Sequence, residues 1–208
     1  MENRRHNPHQ QSPQPADQSG QSGFSLIEIM VVIAVMGAIS AAIVVNWSSF
    51  MRHQELRQDA VTLHKEILAL KARAIEYGYD DMLACPAAGS CTITWYEPSD
   101  DDVNIPPLTK TKVITVNNGV TIEIPPDNMP IGGDLTVAIT GTNNKWKNAA
   151  GKVEIKVKPP ENLEAYESGR ILLSKTGVKA SYCIQKDESG VRPELYHRST
   201  ASSSWKRM

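Results

Sequence analysis

Residues 22–47 read SGFSLIEIMVVIAVMGAISAAIVVNW, and the fold turns on how this stretch is taken. From Phe24 to Val45 nearly every side chain is apolar, yet Glu28 stands among them as the fifth residue. The run is long enough to cross a bilayer as a helix, which takes about 20 residues. A secretory signal would carry a shorter apolar region, about 7–15 residues, with a small-residue cleavage site behind it. A buried core helix of this length would show a polar face. The reading adopted is a membrane-entering helix. A carboxylate inside such a helix costs roughly 2.5–3.5 kcal/mol at mid-bilayer, so Glu28 needs a purpose.

The flanks differ sharply from the run. Residues 1–23 are rich in Gln, Pro, Ser, Asn and His, a composition that cannot bury a core. Arg4 and Arg5 favour a cytoplasmic N-terminus, offset by Glu2 and Asp17. The whole chain has 208 residues and a formal net charge of -1, so no global basic field demands nucleic acid. After Val45 the sequence turns amphipathic. Leu56, Ala60, Leu63, Ile67, Leu70 and Ala74 recur at helical spacing, with charged residues between them. The helix is expected to continue to about Tyr77 and to stop at Gly78, some 80 Å from its start at about 1.5 Å per residue.

From Met82 onward short β-type runs alternate with Gly, Pro and Asn. Expected strands are 92–96, 112–116, 120–124, 135–139, 153–157, 170–173 and 178–184. Asn117-Asn118-Gly119 reads as a hairpin turn, and Lys175-Thr176-Gly177 as a second. A long helix followed by seven short strands predicts an α+β fold with two packed antiparallel sheets.

Gly23-Phe24-Ser25-Leu26-Ile27-Glu28, followed by an unbroken apolar run, resembles the class III signal of type IV pilins and type II secretion pseudopilins. The resemblance implies cleavage between Gly23 and Phe24 by prepilin peptidase and N-methylation of Phe24. It implies that Glu28 pairs with the N-terminal amine of a neighbouring subunit; pairing with its own N-terminus within one turn is the alternative. It also implies a pilin-like lollipop, anchored once in the inner membrane with its C-terminal domain periplasmic, that later joins a filament. The family often has a Pro near the end of the apolar half, where this chain reads Val44-Val45-Asn46. The stretches 82–101 and 168–183 look like the GspH/FimT branch of minor pilins and pseudopilins. The expected organisation is a cleaved leader (1–23), a membrane and assembly half of the helix (24–45), an amphipathic periplasmic half (46–78), a β-rich domain (79–190) and a basic flexible tail (191–208).

A periplasmic domain permits a disulfide. Cys85–Cys91 is the favoured pair, and Cys183 with either one is the competitor. The two close cysteines lack the spacing and nearby His of a metal site. No Gly-x-Ser-x-Gly, phosphate loop or His-Glu-x-x-His occurs, so no catalytic residue, metal or cofactor is expected. His64 reads as a solvated helix residue, and Asp100-Asp101-Asp102 as a solvated acidic loop rather than a calcium site. The expected partners are prepilin peptidase, other pilin or pseudopilin subunits and the inner membrane.

One alternative adds DNA. The tail interleaves Arg192, Arg198, Lys206 and Arg207 with Tyr196 and Trp205, a composition suited to phosphate contact and base stacking. FimT-like DNA receptors use a Gly-Arg-x-Arg pattern. Gly169-Arg170 matches it, but Leu172 stands where the second Arg belongs.

Overall fold

The computed structural model describes residues 24–87, 89–98, 107–126, 129, 133–135, 144–159, 167–186 and 192–208; the side chains at 42, 44–46 and 87 also lie outside the described residues. One helix, α1 (Leu26–Tyr77), carries the apolar and amphipathic segments alike. It contains no Pro and a single Gly, so nothing in its interior removes a backbone donor. The Ser25 carbonyl accepts the first helical bonds, from Glu28 N–H at 3.0 Å and Ile29 N–H at 3.2 Å. At the other end Gly78 takes φ 74° and donates to the Ala74 carbonyl at 3.0 Å. Only Gly adopts that left-handed turn without steric cost, so the helix stops there.

The chain divides into two units, one ending at Ile43 and the other running from Val44 to Met208. In the second unit the helical stripe is buried as its spacing demands. Leu56, Ala60, Leu63, Ile67, Leu70 and Ala74 are all fully buried. They pack against two antiparallel sheets. The first holds β1 (Asp81–Ala87), β2 (Ser90–Glu97), β3 (Leu108–Thr115) and β5 (Val153–Val157), in the order β3-β2-β1-β5. The second holds β4 (Val120–Glu123), β6 (Gly169–Lys175), β7 (Ser181–Lys186), β8 (Glu194–Arg198) and β9 (Lys206–Arg207), in the order β4-β6-β7-β8-β9. The α+β class with two antiparallel sheets is therefore the observed fold.

The second sheet is buried on both faces, and strand alternation divides its side chains. Ile171, Leu173, Tyr182 and Ile184 join the core shared with the helix. Leu172, Cys183 and Tyr196 point the other way, into a smaller cluster completed by Met129, Leu135 and Trp205.

Several expectations are corrected. Asn117-Asn118-Gly119 does not close a hairpin, because β3 and β4 lie in different sheets. The helix intervenes. Asp59 accepts hydrogen bonds from the Asn117 backbone N–H at 2.8 Å and from its side-chain Nδ2 at 2.9 Å, fixing the corner where the chain changes sheets. Lys175-Thr176-Gly177 does link paired strands, β6 and β7, although β7 begins at Ser181 rather than 178. The expected strand 135–139 lies mostly outside the described residues, and Leu135 itself is not in a strand. The tail expected to be flexible over 191–208 is ordered structure from Arg192 onward. It supplies β8 and β9, and Asp134 N–H donates to the Trp205 carbonyl at 2.9 Å while Arg207 N–H donates to Asp134 Oδ2 at 2.8 Å. One backbone bond and one to the Asp134 carboxylate thus fix the C-terminal strand against the 133–135 segment.

Candidate functional site

The entry to α1 is formed by Phe24 and Ser25, just ahead of the helix, and by Glu28 in its first turn. Ser25 and Glu28 make the Ser-x-x-Glu pattern of a helix capping box, which sequence reading passed over although it was visible there. Glu28 occupies the first turn, where a negative charge is favoured by the partial positive charge of the helix N-terminus. It is exposed, and among the described residues it has no salt-bridge partner. Gly23, the residue before the expected cut, lies outside the described residues. Phe24 follows it, 79 % exposed and ahead of the helix.

Beyond Glu28 the helix is apolar on every described side. Leu26, Ile27, Met30, Ile33, Met36 and Ile39 are all more than half exposed, although they stand on different faces. Exposed apolar surface on this scale marks a partner or a lipid environment. Among the described residues no helix is long and apolar enough to cross a membrane.

In the globular unit Cys85 and Cys91 form a disulfide, with S–S 2.06 Å. Strand register explains the pair: Met82 faces Thr94 and Ala84 faces Thr92, so Cys85 falls opposite Cys91 just before the ladder shifts. Cys183 is a free thiol, fully buried, and burial pushes it up to about 12. A thiol that stays protonated and enclosed is not a nucleophile. His64 is not simply solvated, because its Nε2 lies 3.1 Å from the Pro193 carbonyl and ties the helix to the approach of β8. Among the described residues no His, Cys, Asp or Glu cluster has the geometry of a metal site. Asp100–Asp102 lie outside the described residues.

The residues proposed for DNA contact are not brought together. Arg170 is 1 % exposed and donates from Nε to Gln185 Oε1 at 2.6 Å inside the second sheet, so it cannot meet a phosphate. Arg198 stacks over Trp205 at 4.6 Å from the ring centre, and burial lowers its pKa. Arg207 pairs with Glu194 at 2.7 Å. Arg192 and Lys206 are exposed, but Tyr196 and Trp205 are core residues and offer no face to a base. Gly169 is explained without a ligand. A Cβ there would stand 2.1 Å from the Trp146 indole, which lies directly on it.

Comparison with known proteins adds one match. The family model of the prokaryotic N-terminal methylation motif covers residues 18–44, the cleavage and apolar segments described above. No curated protein and no solved structure matches the chain. The motif is that of a type IV pilin-like substrate of prepilin peptidase, and it places a membrane-anchoring segment at the N-terminus of this chain.

Proposed function

We propose that this chain is a minor pilin or pseudopilin of the GspH/FimT type. It is a structural subunit, not an enzyme, that assembles into or primes a periplasmic type IV pilus or type II secretion pseudopilus. Prepilin peptidase cuts between Gly23 and Phe24 and methylates Phe24. Residues 24–45 hold the subunit in the inner membrane, with the β-rich unit in the periplasm, until it enters the filament.

The observation that carries this reading is the apolar first half of α1, exposed around its circumference and entered through a single carboxylate. A lipid bilayer stores such a helix, and neighbouring helices of the same kind replace the lipid in a filament. A disulfide in β1–β2 agrees with an oxidising compartment. The test is fractionation of a host that carries the assembly machinery. The chain should appear in sheared filaments, or in the pseudopilus fraction, as well as in the inner membrane. Recovery in the membrane alone, with secretion and piliation unaffected by its deletion, would reject the reading.

A further inference from the structure

Trp47, Phe50 and Met51 are 58 %, 53 % and 41 % exposed, at the start of the second unit. They stand at i, i+3 and i+4, so they share one face of α1, and the Trp47 and Phe50 rings lie 6.1 Å apart. At about 100° per residue this face is opposite the stripe that begins at Leu56. The stripe side continues backward through Ser49 and Arg52, both polar. Arg52 confirms its direction, since a Cβ on Gly177 would stand 3.1 Å from its Nη1, at the β6–β7 turn. The amphipathicity of the helix therefore inverts between residues 51 and 56, and the aromatic patch cannot be a continuation of the domain's own core.

We propose that Trp47, Phe50 and Met51 form an interfacial anchor seated at lipid headgroup level, which sets the depth and rotation of the helix while the subunit waits in the membrane. The proposal rests on the membrane reading above. A hydrocarbon core takes about 20 helical residues, and that count, started at Phe24, is complete at Ile43, one helical turn before Trp47. Trp is favoured at this boundary because its ring is apolar and its N–H is wet. Arg52, on the opposite side, reaches toward the β6–β7 turn, so the patch faces away from the domain and is free to dip toward lipid. Interfacial aromatic anchors of this kind fix helix tilt and rotation.

The experiment uses the full chain in vesicles of phosphatidylethanolamine and phosphatidylglycerol, with lipids brominated either near the carbonyl or near the methyl end. Trp146 and Trp205 are enclosed by the domain and escape the quencher, and the half-buried Trp95 contributes the same background to wild type and Trp47→Phe. Tryptophan quenching should be stronger with bromine near the carbonyl, and Trp47→Phe should remove most of it without changing the amount of chain bound. Chain that sediments with vesicles but shows no quenching difference between wild type and Trp47→Phe overturns the anchor and leaves the membrane reading standing. Stronger quenching at the methyl end, or quenching that disappears as chain concentration rises and copies cover the patch, also overturns it. Failure to sediment at all overturns both.

Discussion

Glu28 is the sole charge between Phe24 and Val45, and two tasks compete to explain it. Its place in the first turn, three residues after Ser25, suits it to cap its own helix, and the proposed assembly would set it against the ammonium that cleavage creates at Phe24 of a neighbour. The tasks separate in Glu28→Ala. The variant should remain in the membrane, relieved of a cost of roughly 2.5–3.5 kcal/mol at mid-bilayer, yet its ratio of sheared-filament to membrane-pool protein should fall, because a buried ammonium loses its counter-ion. An unchanged ratio would leave Glu28 only its capping role. Asp81 poses a different question. It is 1 % exposed, and burial pushes its carboxyl up to about 6, against the opposing pull of Arg73, whose Nε is 4.0 Å away. The folded state thus holds this proton more tightly than the unfolded chain. Its contribution to stability is full below pH 4 and is lost as pH rises through about 6. A domain beginning at Arg52 should therefore lose up to about 3 kcal/mol from this group between pH 4 and pH 7, at about 1.4 kcal/mol per pKa unit. Asp81→Asn should flatten that part of the profile, since Arg73 keeps Glu66 at 3.7 Å and the Trp95 ring at 5.0 Å. The same slope in urea titrations of both proteins would refute the assignment.

Among the elements, β6 and β7 are the most completely buried strands, and β8 pairs with the edge of β7. Gly169→Ala forces a methyl into the Trp146 indole and should cost about 1–3 kcal/mol, as overpacking does; a denaturation midpoint equal to wild type would contradict this packing. Truncation before Arg192 removes β8 and β9 together with Trp205, and should leave a domain that binds hydrophobic dyes and has lost its near-ultraviolet dichroism. A well-folded truncated domain would restore the flexible-tail reading. These elements were the least legible in the sequence. The helix stripe could be read because a period of 3–4 residues has one geometric solution, and all six stripe residues are buried. Strand β1 went unread because Pro86 interrupts it and no turn separates it cleanly from the helix. β8 and β9 went unread because Glu194–Arg198 and Lys206–Arg207 are mostly polar, and what orders them is pairing with distant residues. Arg170 looked like a ligand-binding cation because local sequence does not reveal that Gln185, on the next strand, receives it.

For the whole molecule, a small N-terminal methylation motif is joined to a disulfide-bonded, β-rich domain of separate design. The motif was fully legible, since peptidase recognition and membrane entry act on contiguous residues. The Cys85–Cys91 bridge closes a short loop and should contribute about 2 kcal/mol by restricting the unfolded chain; reduction should lower the unfolding midpoint accordingly, and no change would show that the hairpin is already held by its ladder. The central claim is that the chain is processed as a prepilin. Intact-mass measurement of the membrane-extracted protein, from a host with prepilin peptidase, tests it most directly. The account predicts the mass of residues 24–208 plus a single methyl group, reverting to full length when Gly23 is replaced by Arg. A full-length mass for the wild-type chain in that host would contradict it.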